Sequence, residues 1–203
     1  LEKDKIFKEG DRALLTISCQ GDIIKSVVLS DHYRLDKEML LLLIFAVFLI
    51  LFAGKNGIQA VLSFGITILV IWKILVPCYL KGYSPVWTGI LITVILTVMI
   101  IFFVYGADIR TVTASAGSLL GVAITCVLGI LFTDLFRIHG AVMPNAESLL
   151  YSGYQDLDLT SIFMSSIFIG ASGAMMDLAV DITSAVWEVV EKKPDISAKE
   201  AML

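Results

Sequence analysis

The chain has 203 residues, of which 58% are hydrophobic and only 17% are charged, and its mean hydropathy is +0.89. Soluble domains carry about 25% charged residues, so this composition excludes an ordinary soluble domain and predicts an integral membrane protein. The net charge of −4, with a pI near 5.1 and no basic patch, excludes a nucleic-acid-binding protein.

The first 37 residues differ from the rest of the chain. They are charged, and turn signals at Gly10-Asp11 and Gly21-Asp22 flank short runs of strand-forming residues. The pattern predicts a β-hairpin, which we interpret as the C-terminal piece of an extramembrane β domain. The chain opens without a methionine, and we expect it to be a fragment of a longer protein.

Long uncharged segments fill residues 38–193 and predict an all-α polytopic membrane protein with about five transmembrane helices. The predicted spans are 39–53, 58–75, 86–105, 111–133 and 159–178, with the last helix continuing to 193. Pro77 is expected to end the second span because proline removes a helical hydrogen bond. Threonines of the third span, Thr88, Thr93 and Thr97, are expected to bond to their own backbone carbonyls.

Two further helical segments are predicted outside the spans. Pro144 can begin a short amphipathic helix over residues 145–151 at the membrane interface. Ser197 and Glu200 form a capping-box pattern, so residues 194–203 are expected to start a further helix that continues beyond the chain.

The fourth span carries small residues every four positions. Gly117, Gly121, Thr125 and Gly129 lie on one face of the predicted helix, and small faces let two helices approach closely in lipid. We expect this stripe to pack against a small face of the fifth span around Gly170 and Gly173.

The fifth span carries the most chemically distinctive pattern. Gly170, Gly173, Asp177, Asp181 and Ser184 lie on one face of the predicted helix. Two carboxylates at positions i and i+4 can share a cation or a proton, which makes these five residues a candidate pathway. Two alternatives stay open: the helix leaves the bilayer near Asp177, about 27 Å after its start, and the glycine pair marks either close packing or a break in the helix.

The sequence offers no catalytic set. Its two histidines lie in different loops, and no nucleophile motif, phosphate-binding loop or metal-ligand spacing is present. The three cysteines are an odd number and are expected to be buried apolar residues. We therefore expect no enzyme activity, no cofactor and no bound metal.

Several runs together resemble the YibE/F-like family of bacterial multi-pass membrane proteins, over about residues 38–203. The resemblance rests on Gly170-Ala171-Ser172-Gly173-Ala174-Met175-Met176-Asp177, Gly54 to Gly57, the Pro77 to Pro85 loop and the Pro194 to Glu200 exit. It implies a permease or transporter, further helices after the chain ends, and an extracytoplasmic segment before Met39.

Two functional hypotheses follow. The first is a permease of the bacterial cell membrane, coupled to a cation or proton and acting on a small solute or ion. The alternative is a non-transporting scaffold or sensor with an extracytoplasmic β domain. The candidate partners are lipid, a second copy of the chain or another membrane protein. The distribution of Lys and Arg favours an N-terminal segment outside the cell.

Overall fold

The computed structural model describes residues 6–20, 23–143, 154, 156–197 and 200. They belong to two units, Leu1–Gly54 and Lys55–Leu203. The predicted amphipathic helix over residues 145–151 and the Gly21-Asp22 turn lie outside the described residues.

The N-terminal unit contains the predicted β-hairpin. Strand β1 (Ala13–Gln20) pairs antiparallel with β2 (Ile23–His32), and the pairing shifts register between Leu14 and Leu15 and again at Ser18. Helix α1 (Leu35–Ala53) follows, with acidic residues in its first turn, where they complement the helix dipole.

The first predicted span, residues 39–53, lies within α1. The first turn of α1 carries three charged side chains, which leaves fifteen uncharged residues. This is shorter than the about 20 residues that a full crossing of the hydrocarbon core requires. Gly54 ends the helix with a φ of 57°, a left-handed conformation that favours glycine.

Four helices of the C-terminal unit are long and apolar enough to cross a membrane, counted over the residues that the structure describes. The first, Lys55–Leu80, consists of α2 (Lys55–Val70), a π-helical turn (Ile71–Leu75) and α3 (Val76–Leu80). The others are α4 (Pro85–Tyr105), α5 (Ile109–Leu135) and α6 (Leu159–Lys192). The prediction of a helical membrane protein is thus confirmed.

Pro77 does not end the second span, contrary to the sequence prediction. The π-helical turn ends two residues before it, and Pro77 is the second residue of α3. Proline is tolerated there because the missing N–H is not needed at a helix start. The helix therefore continues to Leu80.

Local signals explain the ends of the other helices. Asp108 caps α5 by accepting a hydrogen bond from the backbone N–H of Ile109, and Asp158 caps α6 by accepting one from Ser161. Gly106 ends α4 with a φ of 73°. A 3-10 turn (Gly140–Val142) docks on the start of α6, where the Gly140 N–H donates to Thr160 Oγ1 at 3.1 Å.

Helices α4, α5 and α6 pack together, and α2 and α3 lie against α4. One apolar cluster joins Leu75 and Tyr79 to Ile92 and Leu96 of α4. A second joins Val122 and Cys126 of α5 to Phe168 of α6. Most other large apolar side chains are exposed in the described structure, as expected for helices whose surroundings are lipid.

Candidate functional site

Contacts between helices establish their relative direction. Gly89 of α4 lies against Ser165 of α6, and Tyr105 at the other end of α4 contacts Ser184. Helices α4 and α6 therefore run parallel. On α5, Gly129 faces Phe168, and the earlier Gly117 faces the later Ala179, so α5 runs antiparallel to both.

Aromatic residues give a scale of depth. Trp87 and Tyr105 lie near the two ends of α4, about 27 Å apart along the helix. This distance is close to the thickness of a hydrocarbon core, whose boundaries favour Trp and Tyr. Taking these two residues as the boundaries, we infer that the middle of the bilayer is near Leu96, level with about Ser172 of α6.

The buried polar side chains of the bundle are all hydroxyl-bearing. In the part of the chain that the structure describes, the buried non-aromatic polar residues are Thr93, Thr97, Thr111, Ser115, Ser118, Thr133, Ser165 and Ser172. No Asp, Glu, Lys, Arg or His is found among these buried side chains. The buried part of the bundle among the described residues therefore mixes apolar side chains with uncharged hydroxyls.

Four of these hydroxyl oxygens have no hydrogen-bond partner among the described residues: those of Thr93, Thr97, Ser115 and Ser118. Thr97 is 0% exposed, and Thr93 and Ser118 are each 1% exposed. A buried hydroxyl without a partner costs about 1–3 kcal/mol. Such groups in a native protein call for an explanation in terms of function, strain or a bound water.

The prediction that Thr93 and Thr97 bond to their own backbone is therefore wrong. Other hydroxyls in the same bundle do form such bonds: Thr125 Oγ1 donates to the Gly121 carbonyl at 3.0 Å, and Ser172 Oγ donates to Ile169 at 2.7 Å. Every serine or threonine inside a helix has backbone carbonyls three and four residues earlier, so sequence spacing does not show which hydroxyls form this bond.

The small residues of α5 line its interface with α6. A Cβ atom added at Gly121 would lie 2.7 Å from Met175 Sδ, and one at Gly129 would lie 3.1 Å from Phe168 Cε1. At Gly117 the added atom would meet Ala179 Cβ at 4.0 Å. Bulky side chains of α6 thus fill the groove that these glycines leave.

The expected partners on α6, Gly170 and Gly173, do not meet this stripe. A Cβ atom added at either would find no described atom within 4 Å. Phe168 and Met175 occupy the α5-facing side of α6 instead, and Gly170 is exposed. Helix α6 is continuous through this run, so it contains no break.

The acidic residues share the outward side of α6. Asp177, Asp181 and Ser184 are all exposed. Tyr105 fixes their depth, because its hydroxyl donates to the Val180 carbonyl at 2.6 Å and lies 2.6 Å from Ser184 Oγ. Asp181 is therefore level with Tyr105, and Asp177 lies one helical turn closer to the level of Leu96.

A charged and aromatic cluster closes the same end of the bundle. Arg110 Nε donates to Asp108 Oδ2 at 2.6 Å, and the guanidinium lies 5.3 Å from the Tyr105 ring and 5.2 Å from the Trp187 ring. The hydrogen bond from Arg110 lowers the pKa of Asp108 below its ordinary value. This cluster ties the start of α5 to the ends of α4 and α6.

At the opposite end, a buried hydrogen bond joins Tyr79 Oη to Ser165 Oγ. Gly89 lies directly over this pair, and a Cβ atom there would collide with the Ser165 side chain. Because Gly89 has no side chain, α6 can approach α4 closely enough for the Ser165 hydroxyl to bond to Tyr79 Oη.

Sequence reasoning missed the polar core and the Arg110 cluster. The threonines of α4 and serines of α5 were visible, but their partners depend on which helix faces each residue. The Asp108 and Arg110 pair lies in the short connection between the predicted third and fourth spans. Within the described residues, no group of three or more His, Cys, Asp or Glu side chains could hold a metal ion.

Comparisons with known proteins agree with the resemblance seen in the sequence. No curated protein and no solved structure matched the chain. A family model described as YibE/F-like protein matches residues 41–203, which include α2 to α6. The chain is therefore a membrane protein that belongs to the YibE/F-like family.

Proposed function

We propose that this protein is a permease of the bacterial cell membrane that moves a small solute or ion, with coupling to a cation or proton. The observation that carries the proposal is the set of four buried, unpartnered hydroxyls of α4 and α5. Polar groups inside membrane bundles are energetically costly, which supports a functional role for these hydroxyls.

Depth supports this interpretation. Thr93 and Thr97 are within about one helical turn of the bilayer midplane on the scale that Trp87 and Tyr105 define. Transporters commonly bind their substrates at this depth, between packed helices. A bundle with a purely structural role gains nothing from unpartnered hydroxyls there, because apolar side chains of the same shape would cost less free energy.

The acidic pair on α6 supports coupling. Asp177 and Asp181 are one helical turn apart, and both are exposed in the described structure. Exposed carboxylates can take up a cation or proton from water and release it again.

The test uses the purified protein in liposomes that contain a pH-sensitive dye, with an imposed proton or sodium gradient. Protein-dependent flux supports transport, and Asp177→Asn and Asp181→Asn should each reduce it because the amide does not exchange a proton. Asp195→Asn is the matched control, since Asp195 is exposed beyond the end of α6. Equal flux in all three variants would remove the acids from the coupling role.

A further inference from the structure

The polar core of the bundle differs from the acidic face of α6 in one chemical respect: it holds no charge. The buried polar groups among the described residues are hydroxyls, whereas Asp177 and Asp181 are exposed. A solute that enters between α4, α5 and α6 would meet hydroxyl oxygens and apolar side chains.

The hydroxyls extend over much of the bilayer depth. The Tyr79–Ser165 pair lies at one end, level with Gly89, and Thr93 and Thr97 follow at intervals of one helical turn along α4. On α5, Gly117 is level with Ala179 of α6. The next residue, Ser118, therefore lies nearer the Tyr105 end than Thr97 does. Ser115 lies about one turn further in that direction.

This arrangement discriminates between classes of solute. An ion that loses its water in an uncharged core pays a large desolvation penalty that hydroxyl dipoles only partly offset. An uncharged solute with several hydrogen-bonding groups pays much less, and it supplies the partners that Thr93, Thr97, Ser115 and Ser118 lack.

We propose that the hydroxyl core of α4 and α5 is the binding route for small uncharged hydrogen-bonding solutes, the class to which water, urea and glycerol belong. This inference rests on the proposed transport function and names its substrate class. The four oxygens are buried in this structure. Entry of a solute requires α4, α5 and α6 to separate at this level.

The experiment measures osmotic shrinking and reswelling of proteoliposomes by rapid-mixing light scattering, with water, urea and glycerol as the probes. Sodium, potassium and proton fluxes are measured in parallel on the same vesicles. The protein should raise permeability to at least one uncharged probe. Thr97→Val should lower that permeability about tenfold, the loss that corresponds to about 1.4 kcal/mol of binding in the route.

Thr113→Val is the matched control because the Thr113 hydroxyl is exposed and already donates to the Ile109 carbonyl at 3.1 Å. It should leave permeability unchanged. Ser118→Ala is the second core variant and should act in the same direction as Thr97→Val, which guards against a folding defect in one variant.

The outcomes separate this inference from the proposed function. Ion flux without any uncharged-solute flux would overturn the inference and leave transport standing. Uncharged-solute flux that is equal in Thr97→Val, Ser118→Ala and the parent would also overturn it, because the route would lie elsewhere. No flux of any probe would overturn both.

Discussion

The hydroxyl of Tyr105 lies 2.6 Å from Ser184 Oγ, which joins the last residue of α4 to α6. The same hydroxyl donates to the Val180 carbonyl at 2.6 Å. Ser184 belongs to the acidic face of α6, so this contact holds that face at a fixed depth relative to the aromatic end of α4. Asp177 and Asp181 are positioned through it.

Replacing Tyr105 with phenylalanine should lower the free energy of unfolding by about 1–3 kcal/mol, because its hydroxyl contacts both the Val180 carbonyl and Ser184 Oγ and each hydrogen bond contributes about 0.5–1.5 kcal/mol. The ring would remain beside Arg110, so the cation–π contact is kept. Chemical unfolding in detergent micelles measures the change. Tyr83→Phe, at a side chain that is 61% exposed, should show no loss. An equal effect of both variants would contradict the structural role of the Tyr105 hydroxyl.

Gly129→Ala should destabilise the bundle by about 1–2 kcal/mol, because overpacking typically costs about 1–3 kcal/mol and the better helix propensity of alanine offsets part of it. The added methyl would lie 3.1 Å from the ring of Phe168, which is fully buried and has little room to move. Gly170→Ala should be neutral or stabilising, since its Cβ would meet no described atom within 4 Å. Thermal unfolding of the two variants compares them directly. Equal stability of Gly129→Ala and Gly170→Ala would contradict a close helix contact at Gly129.

Local sequence signals explain which parts of the fold could be predicted, and features that depend on more than local signals could not. Uncharged runs and caps are local, so the spans and the start of α6 at Asp158 were predictable within a few residues. The passage of the helix through Pro77 was not, because it depends on a π-helical turn that no local residue signals.

The same distinction applies to the candidate site. The common face of Asp177 and Asp181 follows from helical spacing alone. The side of α6 that meets α5 does not follow from helical spacing. Small residues lie on one side of α6 and Phe168 and Met175 on another, and either side could pack against a helix in lipid. The lack of partners for Thr93 depends on the whole surrounding bundle, which one sequence does not reveal.

The cap of α6 should make its stability depend on pH. The hydrogen bond from the Ser161 hydroxyl is the main cause that lowers the pKa of Asp158 below its ordinary value. A lowered carboxyl pKa in the folded state stabilises the protein above the unfolded value, about pH 3.9, and this contribution is lost as pH falls through the lowered pKa. Asp158→Asn keeps a capping oxygen without the charge. Its unfolding midpoint should therefore change less than that of the parent when the pH is lowered from about 5 to about 3. If the unfolding midpoints of Asp158→Asn and the parent changed equally with pH, the charge of Asp158 would not contribute to the stability of α6.

Thr97→Val should stabilise the folded protein, although it removes a polar group from the proposed route. Valine has nearly the shape of threonine, and the Thr97 hydroxyl is fully buried without a partner among the described residues. Its replacement should therefore raise the free energy of unfolding by about 1–3 kcal/mol. Thr125→Val is the control, because Thr125 Oγ1 donates to the Gly121 carbonyl at 3.0 Å, and this variant should show no gain. Chemical unfolding of both variants, combined with their solute permeability, tests whether the parent sacrifices stability for transport. A loss of stability in Thr97→Val would mean that the hydroxyl has a bonding partner in the folded protein, and the sealed polar core would then be a structural feature.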